Sequence, residues 1–304
     1  MFDRHDLTDE EWARLEPLLP DRTPCRGGRW MDHRQVINAV LWRTRAGVSW
    51  RDVPAEYGNW KTIYNRHYRW ASEGVWADIL DGLRRGRDQS EGPDWAVAVD
   101  GTVVRAHQHA TGARRSSSSH RGICRMTNSA VLSAEQVAER EALGRSRGGL
   151  TTKIVLAGDS RARPISRVTT AGHRHDSTAF AAVMDGIRIE HAGPGRPRST
   201  PGHLLRDKAF SSKTIREQCR RRGITATIPE KADQIRHRAK RGSRGGRPPA
   251  FDAERYKQRN TVERCINKLK GFRAVATRYD KRDFMYQATI DVASIRIWLK
   301  DPVS

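Results

Sequence analysis

Cysteine is scarce in this sequence, and its four copies are too widely spaced to form a familiar motif. They are Cys25, Cys124, Cys219 and Cys265, so no Cys-x-x-Cys pair exists. This spacing argues against a zinc site and against a framework of disulfide bonds. A signal peptide and a long apolar run are also missing. We therefore expect a protein of the reduced cytoplasm, associated with the nucleoid if its partner is DNA.

Acidic residues are outnumbered as well. Lys and Arg total 57 against 35 Asp and Glu, which gives a net charge of +22 and a pI near 10.8. A soluble chain this basic usually binds a polyanion, and nucleic acid is the commonest one. With 304 residues the chain can bury a core and form one large domain or two ordinary ones.

The first ninety residues predict an all-helical unit. Residues 7–19 form one predicted helix, opened by a capping box of Thr8 and Glu11. A second predicted helix runs from residue 32 to about residue 45, and a last one covers residues 75–84. The polar residues 85–94 predict a linker, so we expect one domain over 1–90 and a second over 91–304.

A helix-turn-helix pattern lies inside this unit. Residues 49–57 predict a short helix, residues 58–59 a turn, and residues 60–72 a second helix. The second helix would present polar and basic side chains to a DNA groove or to its phosphates: Lys61, Asn65, Arg66 and Arg69. An ordinary helical bundle with a basic surface is the alternative interpretation.

The composition changes at residue 95, where an apolar run carries a single acid. Residues 95–107 are rich in Val, Ala and Thr, and they predict a buried strand that ends near Asp100. A carboxylate in such a run costs free energy unless it is paired or binds a metal. An Asp at an ordinary strand-end turn is the other possibility.

The middle of the chain predicts an insertion followed by a hairpin. Residues 105–147 include a Ser-rich basic tract and predict a flexible segment with one short helix. Strands over 150–157 and 164–171 flank a turn that explains Asp159. Asp176 begins a predicted helix and is a reserve candidate for the functional site.

A second strand also delivers an acid. Residues 203–210 predict a short strand that ends in Asp207, followed by a helix capped by Ser211 or Ser212. Such a position is common for a metal ligand or a substrate contact. Residues 231–249 are dense in Arg, Lys, Gly and Pro and predict a mobile phosphate-binding loop, with a solvated loop as the alternative.

The segment 256–270 predicts a helix with two different faces. At about 100° per residue, its polar stripe contains Tyr256, Arg259, Glu263 and Lys270. The opposite side is apolar and includes Val262, Cys265, Ile266 and Leu269. A carboxylate flanked by basic groups suits a phosphodiester site, although a solvated face with mixed charges has the same composition.

These three acids can meet in one fold. Parallel pairing of the two strands would bring Asp100 and Asp207 to neighbouring strand ends, and the helix could place Glu263 beside them. Three gathered carboxylates would repel one another strongly. Two Mg²⁺ ions, roughly 3.5–4 Å apart, would resolve that repulsion and activate in-line attack on phosphorus.

The motifs resemble those of DDE transposases of bacterial insertion sequences, specifically insertion sequence family five. The family signature Tyr-x2-Arg-x3-Glu-x6-Lys fits Tyr256, Arg259, Glu263 and Lys270 with every gap correct. The segments VDGT and LLRDKAF resemble the first and second acid motifs, although Ala209 and Phe210 stand where Gly and Tyr are expected. The block over residues 7–70 resembles the family's DNA-binding region.

The resemblance implies an α/β catalytic domain with an RNase H-like mixed sheet flanked by helices. It implies that Asp100, Asp207 and Glu263 hold Mg²⁺, with Mn²⁺ as a substitute, and that Tyr256, Arg259 and Lys270 grip the DNA end. It also implies double-stranded DNA partners, namely terminal inverted repeats and target DNA, and a homodimer on paired ends. A metal-dependent nuclease on the same fold and a non-catalytic DNA-binding protein are the alternatives.

Overall fold

The structure is a computed structural model that describes residues 5–21, 30–85, 95–111, 140–191 and 193–301. The N-terminal part is helical, as predicted. Its helices are α1 (Asp9–Leu15), α2 (His33–Ala46), α3 (Trp60–Glu73) and α4 (Val75–Arg84). The predicted capping box at the start of α1 is confirmed, since Thr8 and Glu11 exchange side-chain and backbone hydrogen bonds.

The prediction of a short helix over residues 49–57 is wrong. Two short 3-10 turns, Trp50–Asp52 and Ala55–Tyr57, replace it. Pro54 explains the break, because proline has no N–H and disfavours a helical conformation at the preceding Val53. Asn59 then opens α3 by accepting a hydrogen bond from the Lys61 N–H at 2.9 Å.

A mixed sheet forms the centre of the rest of the chain. Its strands are β1 (Ala96–Ala106), β2 (Gly144–Ser146), β3 (Gly149–Gly158), β4 (Pro164–Ala171), β5 (His203–Leu205), β6 (Thr225–Thr227) and β7 (Thr277–Arg278). The order is β2-β3-β1-β5-β6, with β4 on β3 and β7 on β1. β4, β3 and β1 run antiparallel, whereas β1, β5 and β6 run parallel. This arrangement is the RNase H-like mixed sheet.

The predicted β3–β4 hairpin is confirmed, and so is the turn role of Asp159. Its Oδ1 accepts hydrogen bonds from the backbone N–H groups of Arg161 at 3.1 Å and Arg163 at 2.7 Å. Its Oδ2 accepts one from the Arg163 Nε at 2.6 Å. Both side chains are fully buried, and the Arg163 guanidinium covers the Trp298 ring at 4.1 Å.

Eight more helices belong to the described part of the chain. They are α5 (Gln108–Thr111), α6 (Phe180–Asp185), α7 (Lys213–Arg221), α8 (Ala232–Lys240), α9 (Ala253–Lys257), α10 (Asn260–Lys270), α11 (Arg273–Ala276) and α12 (Asp283–Leu299). Three more 3-10 turns cover Asp176–Ala179, Lys208–Phe210 and Gly242–Gly245. No helix within the described ranges is long and apolar enough to cross a membrane.

Two sequence predictions about loops need correction. Residues 231–249 are not a loop throughout, since α8 and a 3-10 turn occupy 232–245. The Gly and Pro residues of this segment cluster after residue 241 and leave 232–240 free to form a helix. The insertion is also narrower than 105–147, because β1 extends to Ala106 and β2 begins at Gly144. The Ser-rich tract and most of the predicted helix lie outside the described residues.

The last helix, α12, is buried along almost its whole length. It packs against α2, α3 and α4 and also against β4 and α10. Arg296 on α12 forms an ion pair with Glu11 on α1. Arg14 donates a hydrogen bond to the Leu299 carbonyl at 2.8 Å. The N-terminal helices and the sheet therefore share one apolar core.

Candidate active site

Two parallel strands deliver two aspartates at the same level. Ala98 on β1 pairs with Leu205 on β5. Asp100 and Asp207 each lie two residues after this pair in the sequence. Asp100 accepts a hydrogen bond from the N–H of the following residue at 2.8 Å, and Asp207 does the same at 2.6 Å. The predicted parallel pairing of these strands is thus confirmed.

The sequence predicts that the first strand ends near Asp100. This prediction is wrong, because β1 continues to Ala106. Asp100 lies in the middle of β1, opposite Leu156 of the antiparallel strand β3. The parallel neighbour β5 stops at Leu205, so the sheet narrows on that side of Asp100. Asp207 follows this stop and caps the 3-10 turn Lys208–Phe210. The two carboxylates therefore sit where one strand continues and its neighbour ends.

The third acid comes from α10, which packs its apolar side on the sheet. The buried residues of this helix are Thr261, Val262, Cys265, Ile266 and Leu269. The side chain of Glu263 is 45% exposed, and its Oε1 accepts a hydrogen bond from Arg259 Nη2 at 2.7 Å. Lys270 is half-buried at the other end of the same helix. The buried position of Cys265 agrees with its predicted role as a small core residue.

The single helix predicted over 256–270 is interrupted. α9 ends at Lys257, and α10 begins at Asn260. Tyr256 therefore belongs to a different helix from Glu263. The Arg259 guanidinium nevertheless lies 5.8 Å from the centre of the Tyr256 ring, so the two signature residues remain neighbours across the break.

The charges of all three acids affect the pKa of Tyr256. Burial raises the pKa of its phenol, and Arg259 lowers it. The carboxylates of Asp207, Glu263 and Asp100 each raise the pKa of Tyr256 further. The charges of three acids from three separate elements thus affect one phenol, although Asp100 and Glu263 are 163 residues apart along the chain.

The environment of Asp100 raises the pKa of its carboxyl group. Burial raises the pKa of the Asp100 carboxyl, and the negative charge of Asp176 adds to that increase. The hydrogen bond from Gly101 and the cations Arg259 and Arg206 act in the opposite direction and lower the pKa. Burial and like charge are the usual causes of a raised carboxyl pKa at functional sites.

The three carboxylates offer oxygen ligands, which hard divalent cations prefer. Each has one oxygen engaged by a donor: Gly101 N for Asp100, Lys208 N for Asp207, and Arg259 for Glu263. The second oxygen of each has no hydrogen-bond partner among the described residues. Oxygen ligands of this kind suit Mg²⁺ and Mn²⁺. Within the described ranges, no three His, Cys, Asp or Glu side chains already stand close enough to hold a metal ion.

Three of the four α3 residues that were predicted to contact DNA lie on the exposed side of this helix. Lys61, Asn65 and Arg69 are exposed there. Arg66 is 7% exposed, and its guanidinium stacks 4.1 Å from the centre of the Trp30 ring. Arg66 also bonds to the His33 ring at 2.9 Å, so its side chain is packed inside the protein and is not on the exposed side of α3.

Comparison with known proteins agrees with this geometry. Residues 91–295 match the family described as "Transposase DDE domain". The chain belongs to this family of DDE transposases. Residues 7–80 match a second family, described as "Putative transposase of IS4/5 family". The two matches together support a transposase of an IS4/5-type element.

Three individual proteins are similar to parts of the transposase. The uncharacterized protein y4sN of Sinorhizobium fredii is 38% identical over 114 residues, which is 38% of this chain and 87% of that protein. The uncharacterized 16.2 kDa protein of insertion element IS402 from Burkholderia cepacia is 32% identical over 33% of this chain and 73% of its own length. A protein of Brucella ovis named "Putative transposase for insertion sequence element IS6501" is 25% identical over 50% of this chain and all of its own.

The structure of the transposase adds two features that the sequence interpretation did not assign. Lys153 Nζ lies 2.5 Å from Asp176 Oδ1, beside Gly101. Arg206, which directly precedes Asp207, is fully buried. Arg206 directly follows the apolar pair Leu204 and Leu205 of a short strand, and this is the sequence signal that could have indicated its burial.

Proposed function

We propose that this transposase cuts DNA at the ends of its element and joins the freed 3′-hydroxyl groups to target DNA in a reaction that needs a divalent metal ion. The observation that carries the proposal is the geometry of the elements that hold the acids: Asp100 and Asp207 follow paired residues of two parallel strands, and the helix of Glu263 packs on β1 and β3. One free oxygen on each carboxylate supports a shared role as metal ligands.

These three carboxylates would hold Mg²⁺, or Mn²⁺ in its place, and the bound metal would supply activation of the attacking oxygen and stabilisation of the leaving one. A divalent cation bound by Glu263 would compete with its ion pair to Arg259. Both partners are partly exposed, at 24% for Arg259 and 45% for Glu263. Such a pair contributes only about 0–1 kcal/mol, so a divalent cation can displace it.

The same exchange frees Arg259 for DNA. Its guanidinium would then bind a phosphate oxygen beside the reacting one, in a geometry that suits arginine. Tyr256, on the neighbouring helix, would donate its hydroxyl to the same strand. Lys270, two helical turns beyond Glu263, would hold a more distant phosphate. In this scheme the signature residues orient the DNA end while the carboxylates serve the chemistry.

Recognition of the element would fall to the N-terminal residues 1–90. The exposed residues Lys61, Asn65 and Arg69 on α3 would contact the terminal inverted repeats. We propose a homodimer on two paired ends, in the nucleoid of the cytoplasm. The net charge of +22 supports binding of both element and target DNA.

The test uses labelled linear DNA that carries the element's own ends, with Mg²⁺ or with EDTA. The native protein should nick at the element boundary only with metal. Asp100→Ala, Asp207→Ala and Glu263→Gln should each lower the cleavage rate by on the order of a hundredfold or more while they keep their affinity for the ends. Glu254→Gln is the matched control, because Glu254 is exposed on α9 and its one ion-pair partner among the described residues is Lys257.

Two results would contradict the proposal. A native protein that binds the ends and a scrambled duplex equally, and never cuts, would be a basic DNA-binding protein. A native protein that cuts but never joins pre-cut ends to a target plasmid would be a nuclease on the same fold.

A further inference from the structure

A strongly basic segment follows the edge strand β6. Residues 231–247, called the basic arm here, contain seven Lys and Arg but one acid, Asp233. The arm comprises α8 and the 3-10 turn Gly242–Gly245. α8 has no buried residue, so it adds little to the core of the protein. Packing against the core therefore does not explain why this short helix forms.

Polar contacts fix one end of the basic arm. Gln234 on α8 accepts a hydrogen bond from the Ser211 hydroxyl at 2.8 Å and donates one to the Ser211 carbonyl. Ser211 is 3% exposed and lies four residues after Asp207. Arg238 on α8 forms an ion pair with Glu230, just before the arm. The arm is therefore anchored beside the second acid motif.

Most cations of the basic arm are available to a ligand. Five of them are exposed and have no ion-pair or hydrogen-bond partner for their side chains among the described residues: Arg236, Lys240, Arg241, Arg244 and Arg247. Ile235 is the one large apolar side chain that is exposed in the arm. Such a surface suits a polyanion, which would relieve the repulsion among the cations, better than it suits an apolar partner.

The strand order places the basic arm and the N-terminal helices on opposite sides of the acids. In the order β4-β3-β1-β5-β6, the strands that lead to Asp100 and Asp207 lie between the two edges. The N-terminal helices reach the β4 edge, where Arg84 on α4 donates a hydrogen bond to the Pro164 carbonyl at 3.3 Å. The arm follows β6, which is parallel to β5, so it begins at the end of the strands where the acids lie. Two steps between strands separate β6 from β1, a distance of about 10 Å.

We infer that the basic arm binds the phosphate backbone of the duplex DNA that continues past the element end, on the side of the acids away from α3. This inference rests on the proposed function, because it takes α3 to hold the element end. A distance of about 10 Å corresponds to about three base pairs, so the contacts begin within the first turn of the flanking DNA. Lys and Arg contacts with phosphates carry no sequence information, so the arm accepts any flanking sequence.

The test compares two duplexes in EDTA, where no metal-dependent cleavage occurs. One duplex stops at the element boundary, and the other continues into about 15 base pairs of flanking DNA. The slope of log affinity against log salt is measured by fluorescence anisotropy for the full native chain and for a triple variant, Arg236→Gln with Lys240→Gln and Arg244→Gln. The triple variant should reduce the slope by about 3 on the flanked duplex and leave it unchanged on the other. A scrambled flank should give the same result as the natural one.

A second triple variant controls for the general loss of charge. Arg188→Gln, Lys281→Gln and Lys300→Gln remove three exposed cations outside the arm. This control should keep the native slope on both duplexes. Both triple variants should keep the native melting temperature, because none of these side chains is buried.

Gln234→Ala tests whether the position of the arm matters as well as its charge. This variant keeps every cation of the arm but removes the contacts with Ser211. It should weaken binding of the flanked duplex by roughly fivefold and leave binding of the other duplex unchanged. Native binding of the flanked duplex by Gln234→Ala would contradict an anchored arm.

Four other results would overturn the inference. The arm variant could keep the native slope on the flanked duplex. An equal decrease on both duplexes would place the arm on the element itself, and an equal decrease in the control variant would reveal a general effect of charge. Altered sedimentation of the DNA-free arm variant, with a native slope, would make α8 a contact between two copies of the chain.

Failure of this inference and failure of the proposed function give different results. A native slope in the arm variant, together with metal-dependent cutting at the element boundary, would contradict the inference alone. A reduced slope on the flanked duplex, in a protein that never cuts with Mg²⁺, would support the arm and contradict the proposed chemistry.

Discussion

Acid should destabilise the N-terminal helices through His67. This residue lies on α3, is 1% exposed, and packs its ring 5.1 Å from that of Trp50 and 5.7 Å from that of Trp76. Neither ring nitrogen has a hydrogen-bond partner among the described residues. Burial lowers the pKa of His67 to about 3, with Asp280 acting against the shift and Arg43 adding to it.

The sign and size of the effect follow from proton linkage. An unfolded chain binds a proton at His67 below pH 6.5, whereas the folded chain resists it down to about pH 3. Stability is therefore greatest above the unfolded pKa and falls as the pH drops through this window. The loss from His67 amounts to about 2 kcal/mol at pH 5 and approaches roughly 5 kcal/mol below pH 3.

Urea unfolding at pH 7 and pH 5, followed by tryptophan fluorescence, measures this loss. His67→Phe keeps an aromatic ring in the same space but cannot bind a proton. The decrease in unfolding free energy between the two pH values should be about 2 kcal/mol smaller in this variant than in the native protein. His237→Gln, at an exposed position on α8, is the control and should behave like the native protein. An equal decrease in native protein and His67→Phe would refute the argument.

Three further predictions concern the turn, the site and the DNA surface. Asp159→Ala should lower the unfolding free energy by about 3–5 kcal/mol in urea, because it leaves the Arg163 guanidinium buried with less negative charge; a loss under about 1 kcal/mol would contradict this. Gly101→Ala should abolish DNA cleavage while its far-ultraviolet circular dichroism stays native, because the added Cβ displaces Asp176. Gly193→Ala is the control, since a Cβ at Gly193 has no neighbouring atom within 4 Å. A fully active Gly101→Ala would contradict the prediction. Lys61→Gln should reduce the slope of log affinity against log salt by about 1, whereas Arg66→Gln should lower stability and leave that slope unchanged; the reverse pattern would return Arg66 to the DNA surface.

The elements that hold the acids were predictable because local patterns define them. The apolar run around Asp100 and the short run before Asp207 both predict buried strands, and the resemblance to a known family identifies both acids. The spacing of Val262, Cys265 and Leu269 predicts the buried side of α10 in the same way. In each case neighbouring residues carry enough information to identify the strand or helix that holds the acid, although not the position of Asp100 within its strand.

Other features depend on contacts between distant parts of the chain. The interruption between α9 and α10 contains no Gly or Pro to mark it, and the ring of Tyr256 packs 5.2 Å from that of Phe251. Arg66 shares the inward stripe of α3 with Ile63 and Trp70, so helical periodicity alone could have placed it in the core. Its partner His33 is 33 residues away, which local patterns do not reveal.

The central claim is that Asp100, Asp207 and Glu263 surround one metal site at the DNA end. Replacement of Mg²⁺ by Fe²⁺ in the complex with element ends, followed by ascorbate and peroxide, cuts the protein backbone near the bound iron. We predict fragments that end near residues 100, 207 and 263, all of which disappear in Asp207→Ala and persist in Glu254→Gln. Cleavage at unrelated positions, or an identical pattern in Asp207→Ala, would contradict the assignment of these three carboxylates to a shared metal site.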